Sequence, residues 1–161
     1  RLVTRACAVM SRIVPRIIVC CSERARRVHQ AMGYPAHKFR LVANGFDLRR
    51  YKPDPAARVS VRAELRLADD TPLVGLVARF HPCKNHEGFL EAASEVVRRA
   101  PGTHFVLVGD GVDPYNAPLV AAVQRHGLGD NVHLLGLRQD VPRLMASLDV
   151  TASTSTTEAF P

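Results

Sequence analysis

The sequence predicts an α/β domain with a doubly wound parallel sheet of the Rossmann-like type. From residue 71 onward, short apolar runs alternate with amphipathic stretches of helical length, and glycine or proline separates them. Strands that alternate with helices in this way are typical of βαβ units, and right-handed crossovers wind such units into a doubly wound sheet. The chain has 161 residues, 47% of them hydrophobic, which is enough for one domain with a substantial core.

The first half of the chain predicts two short strands and two helices. The run RIIVCCS ends at Ser22, which can cap the helix that follows, and Gly33 can end that helix. The run RRYKPDPAARVS (49–60) is rich in proline and charge and lacks periodicity, so we interpret it as a linker. In order, we expect a strand at 16–22, a helix at 23–34, a strand at 38–44 and a short helix at 58–67.

The second half is more regular. The stretch HEGFLEAASEVVRRA has apolar residues at helical spacing, and Pro101–Gly102 follows it as a stop signal. We expect strands at 72–79, 103–110, 131–136 and 149–154, with helices at 86–100, 116–127 and 140–148 between them.

Charge and composition restrict the partners. Residues 1–66 carry a net charge of +11, and residues 67–161 carry −4. The basic half suits an anionic membrane surface or phosphorylated acceptors, or it is a solvated face balanced by an acidic domain outside this chain. Aromatic residues are few, and no recognition motif for nucleic acid is present.

Arginines interrupt every apolar stretch of the N-terminus, which argues against a signal peptide. The four cysteines form no CxxC pair, which favours reduced, buried side chains in a cytosolic protein.

A ligand cleft is predicted where the strands of the second half end. In an open parallel sheet, ligands bind outside the carboxyl ends of the strands. Three cations, several small residues and two carboxylates follow those ends, which suits a phosphorylated ligand with hydroxyl groups. The segments concerned are Arg79–Lys84, Gly109–Gly111, Gly136–Arg138 and Ser153–Glu158.

Two other interpretations of these loops are weaker. His81, Cys83 and His86 have a spacing that zinc could use, but no fourth ligand is evident nearby, so we expect no metal. Gly109-Asp110-Gly111 does not complete the GxGxxG fingerprint of dinucleotide-binding proteins, so we expect a tight turn there.

Five segments in order resemble the carboxyl half of a retaining glycosyltransferase of family 4, which has the two-domain GT-B fold. They are residues 22–53, 74–93, 105–111, 132–150 and 155–161. The resemblance covers about residues 16–161 and implies the C-terminal donor-binding domain of a GT-B fold, incomplete at its C-terminus. It implies that residues 1–52 end an acceptor domain with its connecting segment, 53–70 form a linker and short helix, and 71–161 form the nucleotide-sugar-binding domain.

The resemblance also implies site residues. Arg79 and Lys84 match an Arg and a Lys that grip the donor pyrophosphate and stabilise the leaving group. Glu158 matches a glutamate near the donor sugar and diphosphate, while a second glutamate, for the ribose, would lie beyond this chain. Leu137 and Arg138 match the region that lodges the nucleotide base, often through main-chain atoms.

Two departures accompany these matches. Asn85 and Ala159 each occupy a position where the family commonly has glycine. Asn is a good N-cap residue, so the first change should be tolerated.

The implied activity is transfer of a sugar from a nucleotide sugar, such as a UDP- or GDP-sugar, to a saccharide or lipid-linked acceptor. The setting would be cell-envelope polysaccharide biosynthesis, in the cytoplasm or at the inner face of the membrane. No metal or further cofactor is implied, and the fragment alone should be inactive. The alternatives are a non-catalytic nucleotide-binding module of the same fold and a nicotinamide-dependent oxidoreductase domain.

Overall fold

The computed structural model describes residues 2–158. They form two compact units, one containing the chain up to Phe46 together with Glu158, the other containing Asp47–Thr157.

The first unit contains a two-stranded parallel sheet. Its elements are α1 (Leu2–Met10), β1 (Ile18–Cys20), α2 (Glu23–Ala31), a 3₁₀ turn (Ala36–Lys38) and β2 (Phe39–Leu41). Ser22 caps α2 as predicted, since its hydroxyl accepts a hydrogen bond from the Ala25 N–H at 3.1 Å. Gly33 follows this helix with a φ of 98°, a conformation that glycine adopts without steric cost.

The second unit is a four-stranded parallel sheet with helices on both faces, so the predicted fold class is confirmed. Every strand pairing is parallel, and the strand order is β5-β4-β3-β6. The elements are α3 (Pro55–Leu65), β3 (Leu73–Val77), a 3₁₀ turn (Pro82–Lys84), α4 (His86–Arg99), β4 (His104–Val108), α5 (Ala117–Arg125), β5 (Val132–Leu134), α6 (Val141–Ser147) and β6 (Val150–Thr151).

Two apolar cores, one on each face of this sheet, hold the helices. On β4, Phe105 and Leu107 pack in the core with α4 and α5, whereas Val106 and Val108 pack in the core with α3 and α6. Successive side chains of a strand point to opposite faces, so a strand buried on both sides is apolar throughout. This burial on both faces explains why the sequence of β4 contains the uninterrupted apolar run FVLV.

Helix α3 begins inside the segment that we interpreted as a linker. The Asp54 side chain accepts hydrogen bonds from the Ala56 and Ala57 N–H groups at 3.0 and 3.1 Å, and Pro55 occupies the first turn. Proline is tolerated there because the N–H that it lacks has no intrahelical partner at that position. The prolines that suggested a linker are therefore part of a helix start, and the expected start at residue 58 was too late.

A buried arginine connects α3 to the segment that precedes β6. Arg62 is fully buried, and its guanidinium donates to the Asp149 carboxylate at 2.8 Å and to the Ser147 carbonyl at 2.6 Å. Asp149 also accepts the Leu73 N–H at 2.8 Å, at the start of β3. A buried guanidinium needs such partners because its desolvation is costly. This cluster therefore fixes α3 against the sheet.

Two sequence-level expectations concern the surface. Among the described residues, no helix has both the length and the apolar character that crossing a bilayer requires. The four cysteines, all among the described residues, form no disulfide, but only Cys20 is buried and Cys7 is exposed, so the expectation that all four are buried was wrong.

Candidate active site

The carboxyl ends of β3 and β6 form the switch point of the sheet. These two strands are neighbours, yet the chain that leaves β3 passes over one face through α4, and the chain that enters β6 comes from α6 on the other face. Such a reversal opens a crevice at the strand ends, which is where ligands bind in open parallel sheets. The segments that flank this crevice follow β3 and β6.

The loop Arg79–Asn85, here called the cation loop, leaves β3 and enters α4. The Ala78 N–H donates to the Val108 carbonyl at 2.8 Å, and the Phe80 N–H donates to the Asp110 carbonyl at 2.7 Å. Asn85 has a φ of 51°, and its side chain accepts the Gly88 N–H at 3.2 Å, which caps α4. The loop is therefore anchored on β4 at its start and on α4 at its end.

The two predicted cations lie at opposite ends of this loop. Arg79 is exposed, and its guanidinium makes no hydrogen bond or ion pair with another residue of the part of the chain that the structure describes. Lys84 is half-buried at the end of the 3₁₀ turn. A guanidinium left without a carboxylate at a strand end is suited to receive an anion, and Lys84 lies next to the N-terminus of α4, which also favours negative charge.

Gly109 lets the loops after β3 and β4 approach each other closely, and hydrogen bonds through Gly136 join the loop after β5 to them. A Cβ on Gly109, whose φ is 155°, would lie 2.5 Å from the Ala78 carbonyl carbon. The Gly109 N–H donates to the Gly136 carbonyl at 2.9 Å, and the Gly136 N–H donates to the Val112 carbonyl at 2.7 Å. The tight turn that we predicted at Gly109–Gly111 is confirmed, since the Val112 N–H closes it on the Gly109 carbonyl at 3.1 Å.

The two predicted base-binding residues after β5 differ in exposure and in side-chain hydrogen bonding. Leu137 is 69% exposed. Arg138, in contrast, donates to Asp140 at 2.8 Å and to Glu64 of α3 at 2.7 Å. Hydrogen bonds from Arg138, with others from Arg143, hold the pKa of Asp140 well below its ordinary value. The Arg138 side chain is thus occupied by carboxylates, which leaves its main chain and Leu137 for a ligand.

The segment after β6 closes the crevice on its other side. The Thr154 hydroxyl donates to the Lys84 carbonyl at 3.0 Å, and the Thr156 N–H donates to the Cys83 carbonyl at 2.9 Å. The sequence placed these two threonines in the predicted segment Ser153–Glu158 but gave them no individual role, because a run of small polar residues does not distinguish one member from another. Glu158 is exposed and belongs to the first unit, and its role stays a prediction.

His81 of the cation loop and His86, the first residue of α4, have separate environments. His81 caps the 3₁₀ turn by accepting the Cys83 N–H at 3.3 Å. His86 is 3% exposed, and neither of its ring nitrogens has a hydrogen-bond partner. Burial lowers the pKa of His86, an effect that the nearby Ala78 carbonyl offsets in part without reaching hydrogen-bond geometry. Within residues 2–158, no three side chains of His, Cys, Asp or Glu come together as a metal-binding group.

Comparison with known proteins identifies the family. The family model described as glycosyl transferases group 1 matches residues 58–161. The D-inositol 3-phosphate glycosyltransferase of Rhodococcus erythropolis is 30% identical over 152 residues, which are 90% of this chain and 34% of the relative. A GDP-mannose-dependent alpha-(1-6)-phosphatidylinositol monomannoside mannosyltransferase of Mycobacterium tuberculosis is 32% identical over 120 residues, which are 73% of this chain and 30% of the relative.

Solved structures agree with this assignment. Anabaena HepE in complex with UDP-glucose superposes with a TM-score of 0.85 and 27% identity, over 97% of this chain and 43% of HepE. This chain therefore spans less than half the length of the proteins that it matches. The matched region contains the whole cation loop and the four-stranded sheet. The chain belongs to the group 1 glycosyl transferases.

Proposed function

We propose that the full-length protein is a retaining glycosyltransferase. It transfers a sugar from a nucleoside-diphosphate sugar to a saccharide or lipid-linked acceptor, in cell-envelope polysaccharide biosynthesis. The observation that carries the proposal is the cation loop, with Arg79 and Lys84 fixed at the switch point of the sheet. Residues 1–52 would end the acceptor domain, 53–70 would form a linker and a short helix, and 71–161 would bind the donor.

The donor is a UDP- or GDP-sugar in this proposal. HepE was solved with UDP-glucose, and the mycobacterial relative is named as GDP-mannose-dependent, so both nucleotides occur among similar proteins. A diphosphate suits the crevice because the exposed Arg79 and the half-buried Lys84 supply two positive charges. Leu137 and the main chain of Arg138 would contact the base.

The cations would act on the leaving group. As the bond between the anomeric carbon and the β-phosphate oxygen breaks, negative charge develops on that phosphate. Positive groups that are already in place stabilise this charge without reorganisation, so they lower the barrier more than they tighten substrate binding. The acceptor hydroxyl would attack the anomeric carbon on the face from which the diphosphate departs and would give its proton to the departing phosphate oxygen, without a protein nucleophile or a metal. Glu158 would orient the sugar or the developing charge.

The net charge of the first part of the chain supports a location at a membrane surface. Residues 1–66 carry a net charge of +11, and each basic residue near an anionic lipid surface contributes about 1 kcal/mol of attraction at short range. We therefore place the protein in the cytoplasm, peripheral at the inner face of the membrane, where a lipid-linked acceptor would be available.

The test is donor binding by the full-length protein and its variants. Thermal melts are recorded with UDP, GDP, ADP and NAD for the wild type, Arg79→Ala and Lys84→Ala. Arg99→Ala serves as the matched control, because it removes an exposed cation from the far end of α4. Ligands that bind only the folded state raise the melting temperature by mass action. Sugar transfer is then followed with UDP-glucose and GDP-mannose.

We expect UDP or GDP to raise the melting temperature of the wild type and of Arg99→Ala. Each site variant should lose about 10- to 100-fold in affinity, since a hydrogen bond to a charged group contributes about 1.5–3 kcal/mol. A shift with NAD alone would indicate an oxidoreductase domain instead. Binding of UDP or GDP without any transfer or hydrolysis would indicate a non-catalytic module.

A further inference from the structure

The segment Ser153–Thr157 after β6, here called the threonine segment, is held by few main-chain bonds to the sheet. Strand β6 has only two residues, paired with Val74 and Gly75 of β3. The last ladder bond runs from the Ala152 N–H to the Gly75 carbonyl at 2.8 Å. Beyond it, the hydrogen bonds that join this segment to other described residues go to the cation loop.

These contacts reach three consecutive carbonyl groups of the cation loop. The Thr156 N–H donates to Cys83 at 2.9 Å. The Thr154 hydroxyl lies 3.0 Å from the Lys84 carbonyl and 3.2 Å from the Asn85 carbonyl, so its single proton is shared between them. The threonine segment therefore fixes the main chain of the cation loop where Lys84 emerges.

The main chain at this point needs such support. Asn85 adopts a left-handed conformation with a φ of 51°, which costs a residue other than glycine about 1 kcal/mol or more. Conformations of this kind persist when the surroundings over-determine them. The Asn85 side chain supplies one constraint by capping α4, and the Thr154 hydroxyl supplies a second through the Asn85 carbonyl.

We propose that Thr154 is a positioning residue that sets where Lys84 meets the donor diphosphate, an inference that rests on the proposed function. Lysine has a flexible four-carbon stem, so the reach of its ammonium group depends on where its Cα is held. Arg79 does not depend on the same contact, because the start of the loop is anchored on β4 through Ala78 and Phe80. Removal of the Thr154 hydroxyl therefore loosens one of the two cations and leaves the other in place.

The experiment is a double-mutant cycle in the full-length protein. Binding of UDP and of GDP is titrated by calorimetry for the wild type, Thr154→Val, Thr154→Ser, Lys84→Ala and the double variant Lys84→Ala/Thr154→Val. Thr154→Ala provides a second way to remove the hydroxyl, should valine impair folding. Thr151→Val is the control, since Thr151 is an exposed threonine on β6 with the same change in shape and polarity. Melting temperatures without ligand are recorded for every variant.

Thr154→Val should weaken nucleoside-diphosphate binding about fivefold, which corresponds to one hydrogen bond of about 1 kcal/mol. Thr154→Ser should restore most of the affinity, and Thr151→Val should bind like the wild type. In the Lys84→Ala background, the valine substitution should change the affinity by less than about twofold, because Thr154 acts through Lys84.

Two results would overturn the inference while leaving the proposed function intact. One is unchanged binding in Thr154→Val and Thr154→Ala. The other is an equal loss with and without Lys84, which would mean that the hydroxyl stabilises the fold or acts through Arg79. A wild-type protein that binds neither UDP nor GDP would instead refute the proposed function, and the role of Thr154 with it.

Discussion

Replacement of Gly109 by alanine should damage both the sheet and the crevice. The methyl group would lie against the Ala78 carbonyl oxygen, 2.5 Å from its carbon and 2.8 Å from the Arg79 nitrogen. All three atoms belong to the main chain, so no side-chain rotation can relieve the contact. Either β3 moves away at its carboxyl end, or Gly109 moves and its 2.9 Å bond to the Gly136 carbonyl is lost.

The magnitude follows from two contributions. Overpacking of a well-packed region costs about 1–3 kcal/mol, and a φ of 155°, rarely adopted by alanine, adds about 1 kcal/mol or more. We expect the free energy of unfolding to fall by about 3 kcal/mol. Affinity for a nucleoside diphosphate should fall as well, because the displaced main chain carries Arg79.

The assay is urea unfolding of the full-length protein, with calorimetry of UDP and GDP binding alongside. Gly102→Ala is the matched control, since a Cβ at that position meets nothing within 4 Å and its φ needs no glycine. A loss below about 1 kcal/mol in Gly109→Ala would show that the end of β3 yields easily. The close approach of the two loops would then not be a constraint on the site.

Three further predictions concern other parts of the second unit. Asp149→Asn leaves the buried Arg62 guanidinium without its carboxylate and should lower the free energy of unfolding by about 3 kcal/mol in urea titrations; a loss below about 1 kcal/mol would contradict this. Burial lowers the pKa of His86 and His133 below the ordinary 6.5, so the unfolded chain takes up protons first as the pH falls below that value. The free energy of unfolding should therefore decline as the pH falls from about 7 to about 5, and the decline should shrink in His133→Gln; an equal slope in both proteins would refute the assignment. Arg138→Ala should lower the melting temperature because it breaks ion pairs, yet change nucleoside-diphosphate affinity by less than about twofold, and a larger loss would mean that the guanidinium itself contacts the ligand.

Local patterns predicted the sheet well. The apolar runs at β3 and β4 and the helical spacing in α4 depend on neighbours in sequence, and the structure has those elements where they were expected. The Ser22 cap and the turn at Gly109 are likewise decided by a few adjacent residues. The start of α3 was predicted too late because Asp54 and Pro55 are compatible both with a turn and with the first residues of a helix. Only the packing of the helix selects between these two conformations.

Contacts between distant residues could not be predicted. Nothing near Arg138 in sequence indicates that Glu64, 74 residues earlier, occupies its guanidinium. Similarly, the role of Thr154 depends on a loop 70 residues away. Arg79 and Lys84 were found as candidates because a strand end and a helix start lie on either side of them, which places them in the fold without any distant partner.

The buried Arg62 has a consequence for the order in which this chain is made. Its carboxylate partner, Asp149, is synthesised 87 residues later. At about 5–20 residues per second, α3 waits on the order of 4–17 s for that partner to be synthesised. Throughout that interval the arginine must remain in water, because burial of an unpaired guanidinium is too costly. The helix that comes first in the second unit can therefore complete its packing only after Asp149, the residue before β6, has been made.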